Sequence, residues 1–84
     1  MHFVYVLQSL DGMSSWYIGS TTDLEARLAA HNQGQNASTR GRSWRMVYYE
    51  AFLTKAAAHL RERRLKQDGR SRRLLMERIG SSLE

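Results

Sequence analysis

The chain has no cysteine and no proline. Without cysteine there can be no disulfide and no thiolate zinc site. The lack of proline decides little. No apolar run approaches the roughly 20 residues needed to span a bilayer, and no secretory leader precedes the first predicted strand. The expectation is a cytoplasmic protein with no membrane partner. The three histidines, His2, His31 and His59, lack the H-x-x-x-H spacing of a metal-binding pair. At 84 residues, one domain spanning residues 1–84 is expected. Such a chain buries roughly 60–65% of its unfolded surface, which leaves no room for a separate targeting domain.

Acidic residues are also scarce, and unevenly placed. Residues 1–39 hold one basic residue, Arg27, against Asp11, Asp23 and Glu25, whereas residues 40–84 hold twelve basic residues against five acidic ones. Such asymmetry implies one positive surface and a polyanionic partner. Arginine dominates the basic set, as phosphate recognition favours. The expected partner is nucleic acid: DNA first, with RNA left open. The competing reading is a solvated face that serves solubility.

Residues 2–8 (HFVYVLQ) are β-branched and aromatic with apolar residues on both faces, the pattern of a central strand covered on two sides. Residues 9–14 carry turn chemistry centred on Asp11-Gly12, and residues 15–19 (SWYIG) complete an antiparallel hairpin. Thr22 with Glu25 three residues on reads as a capping box that opens a helix stopped near Gly34. Residues 35–43 are polar and basic and read as a loop. Residues 44–50 alternate as a third strand. Thr54 caps a second helix over about 55–67, with Ala57, Leu60 and Leu65 inward and Gly69 ending it. Ser71 opens a last short helix carrying Leu74, Leu75 and Ile79. The expected class is α+β: a three-stranded antiparallel sheet flanked by helices, in the order ββαβαα.

Several side chains carry potential chemistry. Tyr5 and Tyr17 lie on neighbouring predicted strands, so their phenols share a neighbourhood. By default both are packed aromatic residues whose hydroxyls need partners. Arg27 and His31 sit one helical turn apart on one face, turned toward the sheet. They read either as a phosphate clamp with a proton-transfer imidazole or as a snorkelling arginine and a satisfied histidine. Glu62 stands alone among cations in His59-Leu60-Arg61-Glu62-Arg63-Arg64-Leu65-Lys66. It reads either as a carboxylate for a hard divalent ion or as the ion-pair partner of Arg61 or Lys66. Arg40, Arg42, Arg45, Arg63 and Lys66 are candidate nucleic-acid contacts of the kind that give salt-dependent affinity without sequence choice. Tyr48 and Tyr49 lie within reach of the same region, although strand packing explains them equally.

Taken together, these segments resemble the GIY-YIG nuclease superfamily, in particular its small single-domain bacterial members related to the UvrC- and Slx1-like nuclease domains. FVYVLQS is similar to the first motif, with Phe3-Val4-Tyr5 in place of Gly-Ile-Tyr. WYIGSTTDLEARLAAHNQG resembles the second motif with its helix, STRGRSWRMVYYE the basic loop and third strand, and AAHLRERRLKQDGR the glutamate-bearing segment. The likeness covers nearly the whole chain. It implies a metal-dependent endonuclease that hydrolyses DNA phosphodiesters, with structure selectivity in repair or recombination as its setting. Tyr5 and Tyr17 would match the motif tyrosines, Arg27 the phosphate-stabilising arginine, His31 the histidine of the Slx1-like branch, and Glu62 the ligand of one Mg2+ or Mn2+ ion. Ser20 stands where some relatives have lysine, and Ser43 where a proline is common.

The alternative is a non-catalytic nucleic-acid-binding module on the same fold, toward which Ser20 leans. A small protein-interaction domain is a third option. Since one active site cuts one strand, double-strand cleavage would need a homodimer or sequential nicks, and a protein partner for targeting is a further expectation.

Overall fold

The computed structural model describes residues 1–11 and 15–83. The expected Asp11-Gly12 turn therefore falls mostly outside the described residues. Three strands form one antiparallel sheet: β1 (His2–Ser9), β2 (Trp16–Thr21) and β3 (Trp44–Phe52), in the order β2-β1-β3. Helices α1 (Leu24–Asn32), α2 (Lys55–Gln67) and α3 (Gly69–Leu83) flank it. This is the expected α+β class and element order.

Side-chain alternation assigns the two faces. Val4 and Val6 of β1, with Ile18 and Trp16 of β2, pack under Ala58, Leu65, Leu75 and Ile79 of α2 and α3. Tyr5 and Leu7 turn the other way, joining Trp44, Tyr17, Met46 and the α1 residues Leu24 and Leu28. Val4, Tyr5, Val6 and Leu7 are fully buried, which explains the unbroken apolar run of the central strand. The β1–β3 register jumps between Val6 and Leu7, which face Tyr48 and Met46. Val47 is thus an extra residue in β3, a bulge that bends the strand.

Helix boundaries depart from the sequence reading at two places. The α1 N-cap is Asp23 rather than Thr22: its carboxylate accepts from the Ala26 amide at 3.1 Å. Thr21 Oγ1 accepts from the Asp23 amide at 3.1 Å and fixes the approach. Loss of an N-cap side chain typically costs about 1 kcal/mol. Asp23→Ala should lower stability by roughly that amount in urea titration, while Thr22→Ala changes little.

Asp68-Gly69 does not simply end a helix. Asp68 is extended, and its carboxylate accepts from the Arg70 amide at 3.1 Å and the Ser71 hydroxyl at 2.7 Å. It therefore caps α3, which begins at Gly69 and runs 15 residues, longer than expected. Leu60 and Leu74, expected inward, are 54% and 53% exposed, and Ala58 takes the buried place on α2.

Glu50 ties β3 to α2. It accepts two hydrogen bonds from Arg61, at 2.8 and 2.9 Å, and one from the Tyr48 hydroxyl at 2.5 Å. Burial pushes the Glu50 carboxyl up, but these donors outweigh it and hold it below the usual carboxylate range. Tyr48 is thereby committed to the α2 face and Tyr49 is 57% exposed. Tyr49 is the cross-strand partner of Tyr5 on β3 and packs edge-on against Phe3, with ring centroids 5.9 Å apart.

Candidate functional site

Tyr5 sits at the centre of β1, opposite Gly19 of β2. The missing side chain at 19 makes room for the phenol: a Cβ there would stand 2.5 Å from the Tyr5 hydroxyl and 2.7 Å from Cζ. The ring therefore lies across Gly19, and its hydroxyl meets α1. The Arg27 Nε–H donates to that oxygen at 3.2 Å, and His31 Nε2 lies 2.7 Å from it. On the far side of the imidazole, Nδ1 is 2.8 Å from Thr39 Oγ1.

Giving every donor in the chain an acceptor assigns the tautomer. With Arg27 donating to it, the Tyr5 hydroxyl spends its own proton on His31 Nε2. His31 then carries its hydrogen on Nδ1 and donates to Thr39, whose hydroxyl donates onward to the Asn36 carbonyl at 3.4 Å. This relay requires a neutral imidazole. Burial, and next the nearby Arg27 charge, lower the His31 pKa and supply that condition. Burial raises the Tyr5 pKa against the opposing pull of Arg27, so the phenol keeps its proton. Tyr5 and His31 are 0% and 1% exposed, so the relay faces the interior. Among the described residues, every buried side-chain nitrogen or oxygen has a partner.

Tyr17 joins the cluster at its solvent side. Its ring centroid lies 4.7 Å from that of His31 and 6.3 Å from that of Tyr5. Asn36 Nδ2 donates to its hydroxyl at 3.3 Å, and Lys66 Nζ stands 5.7 Å from the ring centroid. Tyr5, Tyr17, Arg27 and His31 are therefore brought together.

Glu62 approaches from the other face of the sheet. Alternation along β2 turns Ser20 toward α2, opposite to Tyr17 and Gly19, and the Ser20 hydroxyl donates to Glu62 Oε1 at 2.7 Å. Lys66 Nζ holds Oε2 at 2.8 Å, one turn along α2. Burial works to raise the Glu62 pKa, but the Lys66 and Ser20 hydrogen bonds prevail and lower it. Glu62 is thus an ionised carboxylate with both oxygens engaged by donors.

Sequence reasoning missed Thr39 and Asn36. Both lie in the polar stretch read as a solvated loop, yet Thr39 is fully buried. Its carbonyl accepts from the Trp44 indole at 3.0 Å. The expected nucleic-acid residues fall into two groups. Arg40 donates to the Gly34 carbonyl at 3.0 Å, Arg42 bonds Ser15 and pairs with Asp11, and Arg45 grips Gln8 at 2.6 and 2.9 Å. Arg63 and Lys66 lie exposed on α2.

A family model described as the GIY-YIG catalytic domain matches residues 1–75. A UPF0213 protein of Haloquadratum walsbyi is 37% identical over 84 residues, covering 98% of this chain and 92% of its own length. Another UPF0213 protein, from Halobacterium salinarum, is 43% identical over 75 residues, covering 87% and 95%. The solution NMR structure of a UPF0213 protein from Bacillus halodurans, 38% identical, superposes with a TM-score of 0.55 over 90% of this chain and 82% of that one.

These findings correct the catalytic expectation. The relatives are UPF0213 proteins rather than UvrC- or Slx1-like nucleases. Among the described residues, no group of three or more His, Cys, Asp or Glu is placed to hold a metal ion. The intended ligand, Glu62, is instead neutralised by Lys66 and bonded by Ser20. The divalent-metal endonuclease assignment, with its repair or recombination setting and its Mg2+ or Mn2+ cofactor, is overturned. The catalytic roles expected of Tyr5, Tyr17, Arg27, His31 and Glu62 depended on it.

Proposed function

Since the chain belongs to the GIY-YIG family, on its UPF0213 branch, we propose that it is a non-catalytic nucleic-acid-binding module built as one domain on this fold. The observation that carries this reading is the cationic surface of α2 and α3. Their nine lysine and arginine residues face Glu62, Glu77 and the intervening Asp68, and all of the nine except Arg61 are exposed. Two of the three acids are already engaged: Glu62 by Lys66 and Ser20, and Asp68 by the start of α3. The excess charge is left for phosphates.

In this reading Arg63 makes backbone contacts and Lys66, whose charge is shared with Glu62, lies beside them, with Arg40, Arg42 and Arg45 extending the basic surface from the loop and β3. DNA is the preferred ligand. The buried Tyr5–His31–Thr39 relay is a clamp. It fastens α1 and the following loop to the sheet and so holds the basic loop in place.

The test is binding of fluorescent DNA followed by anisotropy across a salt series. Phosphate contacts release counterions, so log K should fall linearly with log salt, at about 0.9 per phosphate neutralised. Arg63→Glu combined with Arg64→Glu should weaken binding at least about tenfold and flatten the slope. With Mg2+ or Mn2+ added, linear, flapped and branched DNA should all remain intact. A salt-independent affinity, or metal-dependent cleavage abolished by Glu62→Ala, would refute this function.

A further inference from the structure

A second feature of the α2–α3 side says more about the form of the ligand. Between edge strand β2 and the two helices lies a cleft of about 250 Å3, lined by Trp16, Tyr17, Ile18, Lys66, Arg72 and Met76. The volume suits one planar ring system and is too small for a stacked base pair. Ile18 is buried and forms its floor, whereas Trp16 and Met76 are only half-buried, so each keeps apolar surface open to the cleft. Trp16 borders the core without completing it.

The rim is cationic. Arg72 is exposed, and its guanidinium donates to the Lys66 carbonyl at 2.9 Å and the Leu65 carbonyl at 3.5 Å. These carbonyl contacts position the group and leave its charge in place. Lys66 stands over the Tyr17 ring while paired with Glu62, so the unpaired charge at the rim is that of Arg72. An aromatic wall over an apolar floor, with arginine and lysine at the mouth, is the arrangement a nucleotide needs. The base stacks while its phosphate meets the cations. Bases paired in a duplex are covered by their neighbours and cannot enter.

The geometry points to this cleft as a slot for an unpaired nucleobase, which makes the module selective for single-stranded nucleic acid. The inference rests on the nucleic-acid reading above.

Tryptophan fluorescence gives a direct readout. Trp44 is 4% exposed and its indole is bonded to Thr39, so a ligand-induced change reports on Trp16. A ten-nucleotide oligodeoxythymidylate should quench the emission, and a blunt DNA hairpin should not. Trp16→Leu keeps an apolar side chain against Ile18. It should weaken oligodeoxythymidylate binding about tenfold, the size of one lost base–aromatic stack, and leave hairpin affinity within about twofold.

An abasic ten-nucleotide strand provides the same comparison on the unaltered protein, whether or not the variant folds. It should bind about tenfold more weakly than oligodeoxythymidylate and quench nothing. If oligodeoxythymidylate and the abasic strand bind alike, or Trp16→Leu weakens both ligands equally, the slot is overturned while the nucleic-acid function stands. If neither oligonucleotide nor hairpin binds, both are overturned.

Discussion

His31→Leu is expected to melt on the order of 15 °C below the unaltered protein at neutral pH. The substitution is close in volume, so packing is not the main loss. What disappears is the centre of a one-directional relay. The Tyr5 hydroxyl loses its acceptor and Thr39 Oγ1 its donor, both with no water to replace them. A buried polar group left unpaired costs about 1–3 kcal/mol, so the sum is about 3 kcal/mol. A domain of this size loses about 4–8 °C per kcal/mol.

The pH dependence tests the same relay independently. Burial and Arg27 hold the His31 pKa below the unfolded value of about 6.5. The unfolded chain therefore binds the proton more readily than the folded one. The stabilisation from neutral His31 is complete above about pH 6.5 and is lost as pH falls from there toward the lower folded value. Thermal melts followed by circular dichroism between pH 7.5 and 5 should show the unaltered protein losing more stability than His31→Leu, so the two curves converge. Parallel curves, or an unchanged midpoint at pH 7.5, would exclude the relay as a stabilising element.

The second large effect is expected at Gly19. Gly19→Ala adds one methyl group, on a strand where alanine is ordinarily tolerated. That methyl would meet the Tyr5 hydroxyl at 2.5 Å, Cζ at 2.7 Å and a Tyr17 ring carbon at 3.0 Å. The Tyr5 ring cannot step aside, since it is fully buried and its hydroxyl is held by Arg27 and His31. Overpacking of this kind costs about 1–3 kcal/mol. Displacing the phenol adds the loss of its hydrogen bonds at about 1 kcal/mol each.

Urea unfolding should therefore show a loss of about 3–4 kcal/mol. A double-mutant cycle isolates the cause. Tyr5→Leu removes the atoms in conflict, so adding Gly19→Ala to it should cost almost nothing. An equal cost in both backgrounds would place the problem in the backbone rather than in the phenol.

The sheet and helices were legible because periodicity carries them. The apolar run from Phe3 to Leu7 identified the central strand, and Thr54 marked the start of α2 through its hydroxyl. The errors have local causes. Asp23 rather than Thr22 caps α1, since both residue types cap well and only the backbone path chooses. Asp68-Gly69 read as a stop, yet Asp68 serves the helix that follows. Leu60 and Leu74 read as core because composition does not show that each lies on the solvent side of its helix.

The site was legible in part. Tyr5, Tyr17, Arg27 and His31 meet as their spacing implied. Thr39 could not be found, as an isolated threonine in a polar stretch gives no sign of complete burial. The metal role read for Glu62 is the part overturned, since its carboxylate is taken up by Lys66 and Ser20. A helical wheel locates it near the sheet, but not relative to the faces, and its contact Ser20 lies on the face opposite to Tyr17. The nuclease expectation took membership of the fold as evidence of chemistry, which depends on the particular side chains.

The strand order also has a consequence for biosynthesis. Of the three strands the innermost is made before its neighbours, and its far partner β3 follows only after β2 and α1. Until then the nascent hairpin presents Val4 and Val6 on one side and Tyr5 and Leu7 on the other, with neither side fully roofed. The β1–β3 pairing spans more sequence than the β1–β2 hairpin, and pairing over a longer separation is the slower kind.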